Sequence, residues 1–278
     1  MTLILTELSS LGIAMAADSA MTIDVRKPDG TIGDKVYYGA QKLFIVPKLR
    51  AGIAYWGCWV YLPQPDSDWN SDKESQDLME LWLPQFLQSN KDQYNSIAEL
   101  AQLLETELRR RVPKINVEDY PLGDGGIHLA GYESLNGQRL PTFWHIHNGK
   151  SQALPMKSLD PAIVNANNDI PPTEEYFKII QLFEALGRPL TIRNGDIDAY
   201  VALYDLLFTE KSEFPKIIKT IGYTFPHVTT LEDKAKFLKF QIQTVEGIYK
   251  FSKEGRGIGG PITILTISPS EIISYLRE

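Results

Sequence analysis

Thr2-Leu3-Ile4-Leu5-Thr6-Glu7-Leu8-Ser9-Ser10-Leu11-Gly12-Ile13-Ala14-Met15-Ala16-Ala17-Asp18-Ser19 is the stretch whose reading decides the fold. Leu3 to Leu8 is an apolar run broken by Thr6 and Glu7, Ser9, Ser10 and Gly12 make a turn, and Ile13 to Ala17 is a second apolar run that stops at Asp18. Two short apolar runs separated by turn residues predict a β-hairpin. Thr2 stands directly before it and directly after Met1. A small second residue favours removal of the initiator methionine. The result would be a threonine whose hydroxyl and free α-amine share one carbon frame, a nucleophile with its own base.

Strands continue after the hairpin. Val25 to Gly39, with Lys27-Pro28-Asp29-Gly30 and Gly33-Asp34, reads as an exposed excursion, and Leu43 to Val46 with Ala51 to Tyr55 reads as a strand pair across Pro47-Lys48. Helical periodicity begins near residue 74, with Leu78 to Leu87 kinked or interrupted at Pro84. Ser96 and Glu99 form a Ser-x-x-Glu capping signature, after which Ile97, Leu100, Ala101, Leu104 and Leu108 share one face. Ile127 to Tyr132 and Pro141 to Ile146 read as strands joined by Ser134-Leu135-Asn136-Gly137, with Asn148-Gly149 turning the chain after the second. Helices are then predicted from Thr173 to Leu186, from Asp196 to Phe208, and from Leu231 to Phe251 on a pattern of Phe237, Phe240, Val245 and Ile248. Gly259-Gly260-Pro261 leads into a last strand, Ile262 to Ile267. Hairpins and helices in separate runs predict an α+β layered fold over one domain, residues 1–278, with a helical elaboration at about 173–230. Asp66 to Ser75 reads as a polar surface loop.

Composition narrows the function. A chain of 278 residues, 43% hydrophobic and 23% charged, has ample core for a globular domain. A net charge of −7 argues against a nucleic-acid binder, which would carry a basic stripe. Arg109-Arg110-Arg111, the basic run, closes a helical pattern and reads as a solvated helix C-terminus. The single cysteine, Cys58, reads as a small buried apolar residue and excludes an intramolecular disulfide. No stretch approaches the length of an apolar membrane span, and the N-terminus lacks the positive flank of a secretory signal, so a cytoplasmic protein is expected.

Several motifs in order resemble the proteasome β-type family of N-terminal nucleophile hydrolases. They are the N-terminal hairpin ending in Asp18-Ser19, Lys42-Leu43-Phe44, the Asn95-Ser96-Ile97 helix entry, Ala130-Gly131-Tyr132-Glu133, Pro141-Thr142-Phe143-Trp144 with Asn148-Gly149, and Gly259-Gly260-Pro261-Ile262. Asp18 follows Thr2 by sixteen residues, the family's own spacing. A threonine directly after Met1 looks like the small bacterial homologues of the Anbu type. The resemblance implies a four-layer αββα sandwich, two antiparallel sheets face to face with helices outside, with Gly123 to Gly126 and Pro171-Pro172 as connections.

It also implies the site. Thr2 would attack an amide carbonyl and form an acyl-enzyme, with its α-amine relaying the proton. Lys42 would favour the alkoxide and Asp18 would hold that ammonium. Lys35 is a rival where an ungapped count falls, but Lys42 directly precedes an apolar strand as the family lysine does. Gly57, after Trp56, would supply a backbone N–H to the oxyanion. Ser19 belongs to the surroundings of the site or caps a turn.

Departures bear on competence. Ala20 replaces a common arginine, and Gly255-Arg256-Gly257-Ile258 stands where active members carry Asp-x-x-Ser. Val164-Asn165-Ala166-Asn167-Asn168 is the nearest stretch to the family's Ser-Gly-Ser strand end. His145 and His147 alternate on a strand but lack carboxylates at ligand spacing, which makes them strand histidines on a polar face rather than a metal pair, and His128 and His227 are isolated. Gly257-Ile258-Gly259-Gly260 precedes a strand, not a helix, and so lacks the context of a phosphate loop. The resemblance thus leaves three functions open: a threonine hydrolase of peptides, an amidase or acylase of small substrates, and a catalytically silent proteasome-like scaffold. No cofactor is implied, a homo-oligomer assembled through outer helices is, and neither a nucleic acid nor a membrane is an expected partner. An ATPase partner leaves no signature in the chain.

Overall fold

The computed structural model describes residues 2–9, 11–26, 32–57, 61–63, 76–111, 125–135, 138–147, 190–195, 200, 203, 204, 207, 213–252, 257–268 and 272–277. The elements in chain order are β1 (Leu3–Ser9), β2 (Gly12–Ala17), β3 (Ala20–Arg26), β4 (Ile32–Tyr38), β5 (Leu43–Val46), β6 (Ala51–Gly57), β7 (Tyr61–Pro63), β8 (Gln76–Leu78), α1 (Met79–Ser89), α2 (Ile97–Arg111), β9 (Gly125–Leu135), β10 (Gln138–His147), β11 (Leu190–Gly195), α3 (Glu213–Thr220), α4 (Leu231–Phe251), β12 (Thr263–Ile267) and β13 (Ile272–Arg277). Antiparallel sheets and helices thus make up a mixed α/β chain, and none of the described helices is long and apolar enough to cross a membrane.

A five-stranded sheet has the order β11-β1-β2-β12-β13, and a four-stranded sheet has the order β10-β9-β6-β5. The N-terminal hairpin forms as its sequence requires, with Ser9 opposite Gly12 and Ile4 opposite Ala17. All seven residues of β1 are buried, so both of its faces must meet apolar partners. Ile4 and Leu8 join a core with Met15, Ala54, Trp56, Ala130 and Phe143, which draws on both sheets. Leu3 and Leu5 face the other way, onto Tyr200 and the Leu238, Ile242 and Val245 stripe of α4. Beyond the four-stranded sheet, Ile53, Ile127 and Trp144 meet Leu83 and Phe86 of α1 and Leu100 and Leu104 of α2. The site lies where β1 begins and β2 ends.

Several expectations are corrected. The excursion at 25–39 is largely a hairpin of its own, β3 against β4, with Ile23 opposite Lys35. The helical elaboration contains β11, which pairs along the outer side of β1. The chain does not finish with the strand at Ile262 to Ile267, because β13 pairs with β12. Near residue 74 the described chain forms β8 before α1, and α1 is not interrupted at Pro84. Ser96 accepts the Glu99 N–H at 3.1 Å, but the Glu99 carboxylate returns to the Asn95 N–H at 2.6 Å instead of closing the box on Ser96. Arg111 is buried, paired with Glu107 at 2.7 Å and lying 4.8 Å over the Trp82 ring, so only part of the basic run is solvated. Phe240 and Ile248 are 41% and 40% exposed; the face of α4 that packs inward is Leu231, Ala235, Leu238, Ile242, Val245 and Tyr249. The loop at Asp66 to Ser75, Cys58, Asn148-Gly149, Val164 to Asn168, Pro171-Pro172 and the helix from Thr173 to Leu186 lie outside the described residues, as do most of the positions from Asp196 to Phe208.

Candidate active site

Asp18 follows the last residue of β2, and its N–H extends the hairpin ladder by donating to the Leu3 carbonyl at 3.2 Å. This fixes the carboxylate beside the start of β1. Oδ1 accepts from the Leu3 N–H and from Lys42 Nζ, each at 2.9 Å. Oδ2 accepts from the N–H groups of Ala20 and Gly259, each at 3.1 Å. Four donors thus meet one carboxylate and fix its position.

Lys42 is brought there by the second sheet. It precedes β5, and its carbonyl accepts from the Tyr55 N–H at 3.1 Å, so its backbone continues the β5–β6 pairing. Its ammonium donates to Asp18 and also to the Ala20 carbonyl. Both side chains of the pair are completely buried. Burial pushes the Lys42 ammonium below its usual pKa, against the opposing attraction of Asp18. The arrangement therefore presents a desolvated cation that partner and carbonyl hold in one position. Lys35, the alternative, stands opposite Ile23 in the β3–β4 hairpin.

Thr2 is buried and immediately precedes the Leu3 amide that Asp18 holds. Its own carbonyl lies against the α-carbon of Gly195, the last residue of β11, which pairs with Leu3. Gly195 has φ 102, and a β-carbon there would overlap the Thr2 carbonyl, so glycine is required both by conformation and by space.

Ser19 is tied by its backbone. Its N–H donates to the Gly259 carbonyl at 3.2 Å, and its carbonyl accepts from Gly39 and Ala40 at 3.1 Å each. Its buried hydroxyl has no hydrogen-bond partner among the described residues and lies where a β-carbon on Gly260 would fall, at 2.6 Å. Gly57 ends β6 opposite Gly125 with φ 71, two residues beyond the Tyr55 that binds the Lys42 carbonyl. Among the described residues no hydrogen bond joins Gly57 to Thr2, Asp18 or Lys42.

The glycines of Gly259-Gly260-Pro261 are readable in the sequence as a motif but not as a partner of Asp18. Their signal is the pair of consecutive glycines: with φ 141 and 75, they let the chain pass close to Asp18 and Ser19 before entering β12. Of the region where Asp-x-x-Ser is missing, Gly257 and Ile258 are buried, Ile258 against α4, while Gly255 and Arg256 lie outside the described residues.

The histidines are placed differently from expectation. His145 points inward between the sheets, 5.9 Å from the Trp56 ring and 5.2 Å from the His128 ring, not onto a polar face. The side chain of His147 lies outside the described set, and His227 is exposed. His128 Nδ1 is 3.0 Å from Thr6 Oγ1 and Nε2 is 2.6 Å from Asn194 Oδ1. Burial lowers its pKa to about 4, partly opposed by the Asn194 bond. The neutral ring fits this setting with Nε2–H donating to Asn194 and Nδ1 accepting from Thr6. Among the described residues no group of three histidines, cysteines or carboxylates is placed to hold a metal ion.

No family model and no curated protein sequence matches the chain. Among solved structures it is similar to Anbu (ancestral beta-subunit) from Yersinia bercovieri, with TM-score 0.47 and 11% identity over 100% of this chain and 87% of that one. It is also similar to a Gly-1 mutant of Anbu from Hyphomicrobium sp. strain MC1, with TM-score 0.46 and 10% identity over the same shares of each chain.

Proposed function

We propose that the chain is a proteasome-like N-terminal threonine hydrolase that cleaves amide bonds of peptides after loss of Met1. One observation carries this reading: a single oxygen of Asp18 accepts from both Lys42 and the Leu3 amide, so a buried ammonium lies one peptide from Thr2. In this reading the α-amine of Thr2 takes the hydroxyl proton through a water, and the hydroxyl oxygen attacks the carbonyl. Lys42 stabilises the negative charge that develops on the threonine oxygen. The tetrahedral adduct then collapses with cleavage of its C–N bond, the leaving amine taking the proton from the α-ammonium. Water, deprotonated by the same α-amine, hydrolyses the resulting ester to the acid and free Thr2. Asp18 positions Lys42, Ser19 holds the Gly259 segment beside Asp18, and Gly57 is the proposed oxyanion donor. The core clusters support a four-layer αββα sandwich over a single domain, and the outer helices are the proposed contact surfaces of a homo-oligomer.

The second reading is a catalytically silent proteasome-like scaffold. Gly255-Arg256-Gly257-Ile258 in place of Asp-x-x-Ser favours it. Intact mass together with a β-lactone probe separates the two. The enzyme reading expects Met1 to be absent and the probe to label the wild type but not Thr2→Ala. Retained Met1, or equal labelling of both proteins, would defeat it.

A further inference from the structure

A second buried polar cluster lies on the outer face of β11. Alternation along that strand places Ile192 in the core shared by the two sheets and Asn194 against His128, so Thr191 and Arg193 share the opposite face. Arg193 is only 7% exposed and Thr191 only 2%. The guanidinium lies over the rings of Tyr200 and Tyr204, at 5.2 and 5.5 Å. These rings hold its plane but accept none of its in-plane N–H bonds.

Among the described residues two of its nitrogens, Nε and Nη1, lack a hydrogen-bond partner, as does Thr191 Oγ1. Two nearby groups already have partners. Glu7, which stands opposite Thr191 in the β1–β11 register, is ion-paired with Lys234 of α4. The Tyr200 hydroxyl donates to Gln241 at 3.0 Å. Arg193 is therefore buried with two of its nitrogens unserved, which is unfavourable for a guanidinium. An anion with several acceptor oxygens meets that deficit, since guanidinium donors match oxyanion geometry and a hydroxyl adds a neutral donor.

We propose that Arg193 and Thr191 form a binding site for a small tetrahedral oxyanion of the phosphate or sulfate class. Binding there fastens β11 to α4 through the Arg193 layer. Because Gly195 at the end of β11 packs against the Thr2 carbonyl, occupancy also steadies the chain beside Thr2.

The test titrates the full chain with inorganic phosphate at constant ionic strength, following heat by calorimetry and the melting temperature. Saturable binding and a rise in melting temperature are expected. Thr191→Val should weaken binding about tenfold, the loss of one hydrogen bond to a charged group. Arg193→Lys, which keeps the charge but not the guanidinium fork, should abolish saturation. The proposal is overturned if phosphate acts no differently from chloride, if acetate binds as tightly as phosphate, or if Thr191→Val binds like the wild type. The valine variant decides between these outcomes even where Arg193→Lys does not fold.

Discussion

At the residue scale the Asp18–Lys42 pair combines two opposed energies. Desolvation disfavours the Lys42 charge, while Asp18 and the Ala20 carbonyl favour it. Lys42→Met removes the charge at similar length and leaves Asp18 buried without its cation. Breaking a buried pair on one side costs about 3 to 5 kcal/mol, so denaturant unfolding should show a loss of that order. In the proposed enzyme, labelling of Thr2 by the β-lactone should fall with it, whereas Lys35→Ala should label normally. Normal labelling of a folded Lys42→Met protein would remove Lys42 from the mechanism. Gly195→Ala tests the neighbouring constraint. Its methyl group overlaps the Thr2 carbonyl on a backbone that disfavours side chains, and a destabilisation of roughly 2 kcal/mol or more is expected in the same unfolding measurement.

At the element scale, α4 shows what caps and packing each contribute. Thr230 accepts the Asp233 N–H at 3.1 Å while the Asp233 carboxylate accepts the Thr230 N–H at 3.0 Å, a complete capping box. Thr230→Ala should cost about 1 kcal/mol, read as a lowered midpoint in urea with an unchanged slope. The length of α4 is legible in the sequence because its periodicity spans many turns. Its inward face is not: Phe237, Phe240 and Ile248 compete with Leu238, Ile242 and Val245 for the same period, and only the position of β2 and β12 above the helix selects the second set. The N-terminal hairpin is legible for the opposite reason, since two apolar runs and a short turn permit few pairings. β11 is hidden because Arg193 and Asn194 make a short strand look polar. The burial of Arg193 and the contact of Asn194 exist only once β1, His128 and Tyr200 surround them. Likewise Thr2 and Asp18 can be named from position and spacing, and Lys42 from the apolar strand it precedes, by resemblance and against an ungapped count that favours Lys35. The Gly259 N–H reaching Asp18, by contrast, joins residues far apart in the chain and follows from no local pattern.

At the scale of the whole molecule, the interior between the sheets contains a titratable ring, His128, that makes acid stability a property of sheet packing. His128 bridges Thr6 and Asn194 of the five-stranded sheet from its place in the four-stranded one. Its pKa of about 4 lies below the ordinary histidine value of 6.5 because the charged ring would be desolvated. Above 6.5 neither the folded nor the unfolded chain binds a proton at this residue, and its contribution is fully present. As pH falls from 6.5 toward 4, the unfolded chain takes up the proton and the folded one does not, so stability is lost across that window. At pH 5 the loss from this one group is on the order of 2 kcal/mol. His128→Gln retains a donor and an acceptor but cannot titrate. Comparing urea unfolding at pH 7.5 and pH 5, the wild type should lose more stability than the variant by about that amount. Parallel losses in the two proteins would mean that His128 is charged in the folded state, and that the two sheets admit solvent where Thr6 and Asn194 enclose it.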